Sequence, residues 1–252
     1  MTSYLLVPGA NHGGWWYTPA VDRLRAAGHT AAAVTLPGLD PDEQLPDRVI
    51  TLDDHVTAAR QALDELLAGA GDGNASGPGA GGSSDAGGST GAGGSTGATQ
   101  AVLVGHSYGG SIISALADAA PERAAALVYL DALLPEDGDS AWSMTNEEEH
   151  EWFINGAKST GAYVDPLPFF DERARPHPFA TLVQASKLTG AWRQVDPKHY
   201  VVATEWQGGQ STLGAMYDRA RADDEISAHD WPVSHNLLRE GPDRLVDFLL
   251  SL

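Results

Sequence analysis

The sequence predicts an open, doubly wound, mostly parallel six-stranded α/β sheet. Two observations carry the prediction: short apolar runs of strand length recur along the chain, and amphipathic helical patterns separate them. The runs cover residues 4–7, 31–36, 101–104, 125–130 and 200–204, with 226–229 a weaker sixth. The first helical pattern is "TPAVDRLRAAGH", with Thr18 as N-cap, Pro19 at the first helical position and Gly28 as the stop. A second runs over about residues 52–68, with Leu52, Val56, Ala59, Leu63, Leu66 and Leu67 on one stripe, and Thr51 with Asp54 resembles a capping box at its start. A third extends from Gly110 to Ala119, before Pro121, and a terminal helix after Gly241 turns Leu245, Val246, Phe248 and Leu249 inward.

A chain of 252 residues fits a single domain of this class. Two segments interrupt the strand–helix rhythm. Residues 69–98 are almost wholly Gly, Ala, Ser and Thr, with no large apolar side chain to offset the entropy of ordering, and are expected to form a flexible surface insertion. Residues 133–198 are too long for a simple loop and hold Trp142, Trp152, Phe153, Tyr163, Phe169, Phe170, Phe179 and Trp192. They are expected to fold as a helical cap, inserted before the last strands, whose rings either wall an apolar pocket or pack the cap onto the sheet.

The 34 acidic residues outnumber 15 basic ones, a net charge of −19 that disfavours nucleic acid and anionic membrane surfaces as partners. Cysteine is absent, which excludes disulfides, thiolate metal sites and cysteine nucleophiles. The opening "MTSYLLVPGA" has no basic region and too short an apolar run for a signal peptide or a membrane span, so a cytoplasmic location is expected. "PHP" at residues 176–178 and the acidic run "NEEEHE" look like a turn and a solvated helix face, and no metal site is expected.

The chemistry concentrates at "VGHSYGG". This G-x-S-x-G sequence follows the strand "TQAVLVG" and precedes the helix "GGSIISALADAA", the context a nucleophile elbow requires, so Ser107 is the candidate nucleophile. Serine needs a base. Of nine histidines, His235 lies in "WPVSHNLLREG" between the last strand and the terminal helix, where the chain order serine, acid, histidine places it. The glycine-rich loop "PGANHGGWW" after the first strand and the residue after the serine offer backbone N–H groups for an oxyanion, so Ala10 and Tyr108 are the candidate donors. Asn11, His12, His106, Trp142, Trp152 and Phe153 are the candidate substrate contacts, with His106 directed from the elbow into the sheet or cap.

These residues resemble the α/β-hydrolase superfamily, in its branch of plant methyl esterases, hydroxynitrile lyases and bacterial esterase relatives. The likeness rests on "LLVPGANHGGWWY", "LRAAGHTAAAVTLPG", "LVGHSYGG", "LVYLDALLPEDG" and "SHNLLREGPDRL". In that branch the first loop usually opens with a histidine, which Pro8 replaces here. The branch usually carries its acid two residues beyond the threonine before the histidine loop, but Trp206 stands there after Thr204. Two carboxylates remain as candidates, Asp131 at the end of the strand "AAALVYLDA" and Glu205, one residue off the usual place. The resemblance implies a serine carboxylesterase acting on a small ester, a methyl ester or lactone with an aromatic or apolar acyl part, without a cofactor and with a homodimer left open. A lyase, which in that branch has lysine where Asn236 stands, a C–C hydrolase and a non-hydrolytic ligand-binding protein are the alternatives.

Overall fold

A computed structural model describes residues 1–71, 99–206 and 213–252. In chain order the elements are β1 (Ser3–Val7), α1 (Thr18–Ala26), β2 (Thr30–Ala33), α2 (Leu52–Gly71), β3 (Ala101–His106), α3 (Gly109–Ala119) and β4 (Ala124–Leu130). There follow α4 (Ala141–Met144), α5 (Glu147–Gly156), β5 (Tyr163–Val164), β6 (His177–Pro178) and α6 (Phe179–Val183). The chain closes with β7 (Lys198–Ala203), α7 (Gly214–Ala222), β8 (Ile226–Trp231), α8 (Leu237–Glu240) and α9 (Pro242–Leu250).

Six strands form one sheet in the order β2-β1-β3-β4-β7-β8, and every pairing is parallel. The strands read as unbroken apolar runs because the sheet is covered on both faces. Leu5, Val7, Leu103, Leu127, Tyr129, Tyr200 and Val202 belong to one core, beneath α2, α3 and the segment after β4. Their alternate neighbours Tyr4, Leu6, Val102, Val104, Val128, Leu130 and Val201 belong to a second core, against α1 and α9. Burial of each large side chain favours the folded state by about 1.5–3 kcal/mol. Both faces of the sheet are thus covered by packing, and in a parallel sheet the loops at the carboxyl ends of β1, β3, β4, β7 and β8 lie on one edge, where open α/β sheets hold their ligands.

The expected element boundaries need several corrections. Thr18 is the first helical residue of α1 and not its cap: Tyr17 takes that position with no side-chain bond, because a 3₁₀ turn over Gly14–Tyr17 runs directly into the helix. The strand expected over 31–36 ends at Ala33, with Val34 N–H still bonded to Leu6 O; Thr35 then turns its hydroxyl to Gly14 N–H and Gly38 takes a φ of 81°. Helix α2 begins as expected, with Asp54 accepting from Thr51 N–H and O–H, and continues to Gly71. The flexible insertion expected from residue 69 therefore has its first residues in a helix, and its remainder, 72–98, lies outside the described residues. Strand β7 starts earlier than the apolar run because Lys198, 2% exposed, sends its ammonium to the carbonyls of Arg193 and Val195. The segment between β4 and β7 is not purely helical, since β5 and β6 pair antiparallel within it. Among the described residues, no helix is long and apolar enough to cross a membrane.

Candidate active site

The turn between β3 and α3 holds Ser107 at a φ of 51°, left-handed backbone that a side-chain-bearing residue adopts only under constraint. The constraint is backbone packing on both sides. A Cβ at Gly105 would lie 2.6 Å from Gly109 O, and one at Gly109 would lie 2.5 Å from Val7 O. The glycines of the motif therefore let β3, β1 and α3 touch. Ser107 is further sewn to β4, donating its N–H to Leu130 O at 3.3 Å and accepting Leu133 N–H at 2.9 Å.

Asp131, one residue past β4, also has positive φ, 46°, and is fully buried. Its Oδ2 lies 2.6 Å from His235 Nδ1, and its Oδ1 accepts Ala203 N–H at 3.0 Å and the hydroxyl of Tyr217. A buried carboxylate is costly unless hydrogen-bonded, and here both oxygens are engaged. Glu205, the other candidate, is exposed, and its N–H bonds Val233 O at 3.0 Å. A one-residue offset at the end of a strand turns the side chain to the other face, and the imidazole of His235 meets Asp131 instead.

His235 sits in the loop after β8, and His106 holds that loop from the elbow side. The His106 Nε2–H donates to His235 O at 2.9 Å, and the two rings are 4.6 Å apart. Burial, aided by the neighbouring His235, pushes His106 well below the usual imidazole range, so it stays neutral. Trp206 covers His235 from another side, its ring 4.8 Å away. Asn236, in the position where the lyases carry lysine, caps α8 by accepting Arg239 N–H.

The loop after β1 lies against the elbow. A Cβ at Gly9 would be 2.9 Å from Ser107 Cβ, which leaves this backbone no room for a side chain. Among the described residues, the N–H groups of Ala10 and Tyr108 have no intramolecular acceptor. Asn11, expected as a substrate contact, is a buried clip. At a φ of 65° it donates its side-chain N–H₂ to Val164 O at 3.0 Å and Arg175 O at 2.7 Å, and its own N–H to His177 Nδ1 at 3.2 Å. Its side-chain N–H₂ ties the loop to the segment above.

The other expected contacts divide. His12, lowered by burial, packs against Trp15, Trp16 and Phe170, and Trp16 lies 4.7 Å from His106, so aromatic rings run from the upper segment to the elbow. Trp152 and Phe170 extend that wall, with ring centres 6.0 Å apart. Phe153 is buried in the core, and Trp142 stacks on His150. Sequence reasoning missed Tyr217, which no motif marks, and the buried pair His55 and Tyr108, in which the Tyr108 hydroxyl donates to His55 Nδ1 at 3.0 Å. Among the described residues no group of three or more His, Cys, Asp or Glu is arranged to hold a metal ion.

The carboxyl edge of a parallel sheet thus carries a serine at positive φ and a histidine hydrogen-bonded to a buried aspartate, and a family model for the alpha/beta hydrolase family matches residues 4–248. The chain belongs to that family. It is 26% identical to a carbendazim hydrolyzing esterase from Nocardioides sp. (strain SG-4G), covering 100% of both chains. It is also 26% identical to salicylic acid-binding protein 2 of Nicotiana tabacum, over 77% of this chain and 66% of that one. Methyl jasmonate esterase 1 of Vitis vinifera is 22% identical over 77% of this chain and 60% of its own length. An extracellular alpha/beta-hydrolase from a Paenibacillus species superposes with a TM-score of 0.74 at 18% identity, covering 100% and 98% of the two chains. A pyrethroid hydrolase from Sphingobium faniae superposes with a TM-score of 0.64 at 18% identity, covering 99% and 96%. Two of these relatives are named esterases and the two structures hydrolases, while the Nicotiana tabacum protein is named for salicylic acid binding.

Proposed function

We propose that this chain is a serine carboxylesterase that cleaves a small ester with an apolar or aromatic acyl part. The observation that carries the reading is the 2.6 Å contact between His235 Nδ1 and the buried Asp131 carboxylate, one loop away from a serine held at positive φ. Asp131 accepts the Nδ1–H, which leaves the lone pair on Nε2. In the proposed reaction Ser107 Oγ attacks the ester carbonyl while His235 Nε2 takes its proton. The tetrahedral oxyanion is held by the N–H groups of Ala10 and Tyr108, the latter at the positive end of α3. Collapse expels the alcohol, protonated by the imidazolium, and water then cleaves the acyl-enzyme by the same steps in reverse roles.

The choice of an apolar acyl group rests on the rings that converge on the site, Trp16, Phe170 and Trp206 with the neutral His12 and His106. The methyl esterase and carbendazim esterase names of the relatives support a small, uncharged ester of this kind. The test is intact mass after treatment with a fluorophosphonate, on the native chain and Ser107→Ala in parallel. One adduct on the native chain and none on the variant is expected; the absence of an adduct on both would sink the reading.

A further inference from the structure

Two side chains outside the proposed triad stand directly behind it. Tyr217, on α7 and only 9% exposed, donates its hydroxyl hydrogen to Asp131 Oδ1. Its oxygen accepts the indole Nε1–H of Trp206 at 3.1 Å, and the Trp206 ring lies over His235 with centres 4.8 Å apart. The four groups close on themselves: His235 to Asp131, Asp131 to Tyr217, Tyr217 to Trp206, Trp206 to His235.

The direction of each proton in this ring is set by chemistry. The indole is a donor only, so the Tyr217 oxygen must accept from it, and the phenol's own hydrogen is left for an acceptor. The carboxylate is an acceptor only. Ala203 O also lies within reach, at 3.4 Å, and a hydrogen bond to an ionised oxygen is about twice as strong as one to a neutral carbonyl. The torsion that orients an aspartate carboxylate is broad and two-fold, so a single bond to His235 leaves its plane poorly fixed. Two donors on Oδ1, Ala203 N–H and Tyr217 O–H, define that plane. Resting on the esterase reading above, we infer that Tyr217 is a positioning residue for the His235–Asp131 pair, with Trp206 as the brace that holds the phenol and the imidazole together.

The phenol also shares the charge of Asp131, which moderates the attraction between carboxylate and imidazolium. The remaining groups that face this pair are His106 and His12, both kept neutral by burial, Tyr200, whose hydroxyl donates to Ala132 O at 2.6 Å, and Arg221, over the Tyr217 ring at 5.9 Å. None of these groups donates to Asp131, so among them Oδ1 keeps only the Ala203 N–H once the phenol is removed.

The experiment compares the native chain with Tyr217→Phe and Trp206→Phe by two readouts. The first, which needs no turnover, is the proton resonance of the His235 Nδ1–H. It is expected to be protected in the native chain and to broaden by faster exchange in Tyr217→Phe. The second is the pH profile of hydrolysis of a chromogenic short-chain ester. Removal of the phenol is expected to lower kcat about 10- to 100-fold at unchanged KM, the range typical of groups that orient a functional histidine, and to move the acidic limb to higher pH. Trp206→Phe, which keeps the ring and loses the N–H, should shift both readouts in the same direction by less. An unchanged resonance with an unmoved limb would overturn the inference, even if kcat fell, because a merely structural loss lowers activity without moving either. Full hydrolysis by Ser107→Ala would remove the esterase reading, while the resonance would still decide the role of Tyr217.

Discussion

The replacement Asp131→Asn isolates one atom of the site. Asn tolerates left-handed backbone about as well as Asp, so the φ of 46° is kept and the volume is unchanged. The amide then has two orientations. With its oxygen at the present Oδ1, it still accepts Ala203 N–H and Tyr217 O–H, but its N–H₂ faces His235 Nδ1. The imidazole must then accept at Nδ1 and carry its proton on Nε2, where it cannot take the serine proton. The flipped amide keeps the useful tautomer but sets N–H₂ against both donors, losing two hydrogen bonds to make one. The first orientation is therefore favoured, and the expected loss in kcat is about 10⁴-fold, or about 5.5 kcal/mol of transition-state stabilisation. Steady-state hydrolysis of a chromogenic short-chain ester measures it, with Glu205→Gln in parallel and expected to stay near the native rate. An Asp131→Asn enzyme within ten-fold of the native one, or a larger loss in Glu205→Gln, would refute the assignment.

Other outcomes follow from the same geometry. Gly9→Ala places a Cβ 2.9 Å from Ser107 Cβ and 3.0 Å from His106 Nδ1, which pushes the Ala10 N–H off the oxyanion position; kcat should fall about 100-fold with little change in KM, and an unaltered kcat would count against this oxyanion hole. Asn11→Ala leaves Val164 O and Arg175 O without their donor and puts alanine at a φ of 65°; denaturant unfolding should show a loss of about 2–4 kcal/mol, and a loss within 0.5 kcal/mol would rule out the clip. Burial pushes His55 down to about 4 from an ordinary value of 6.5, so the unfolded chain binds more protons between those values and stability falls as pH drops from 6.5 to 4, by about 3 kcal/mol from this group. His55→Gln should flatten that part of the stability–pH curve, and a slope equal to the native one would show that His55 does not titrate on unfolding.

Most of the sheet was legible in the sequence because its inner strands are buried on both faces, which turns each of them into a continuous apolar run, whereas the edge strand β8 is largely exposed and gave only a weak one. The ends of the strands were not, since what ends them is not in the strand. Thr35 leaves β2 to serve Gly14, and Lys198 enters β7 because carbonyls of Arg193 and Val195 wait for its ammonium. The turn that holds Ser107 and the loop after β8 that holds His235 could be read from the sequence because a strand–glycine turn–helix pattern and the order of elements are visible in local patterning. The clip made by Asn11 was not legible, because its partners Val164 and Arg175 are more than 150 residues away in sequence. Tyr217 left no signal, since a tyrosine on an amphipathic helix is ordinary until the helix is docked.

The carboxylate that meets His235 comes from a strand end that position along the chain does not single out. β4 and β7 are neighbours in the sheet, and Asp131 N–H bonds Val201 O at 2.8 Å, so the residue after β4 lies directly over the end of β7. From there the carboxylate accepts the Ala203 N–H of the adjacent strand and reaches the imidazole after β8. A carboxylate at the end of β7 would approach the same imidazole from the next strand over, and the two sources are expected to substitute for one another so long as the unused place does not hold a competing charge. Trp206 fills that place with a donor-only, uncharged ring that packs on His235 and holds Tyr217 against Asp131. The test of this interchange is the double variant Asp131→Asn, Trp206→Asp. Hydrolysis recovered by ten-fold or more over Asp131→Asn alone would show that either strand end can supply the carboxylate, whereas no recovery would mean that the loop after β7 has been reshaped around the indole and can no longer deliver one.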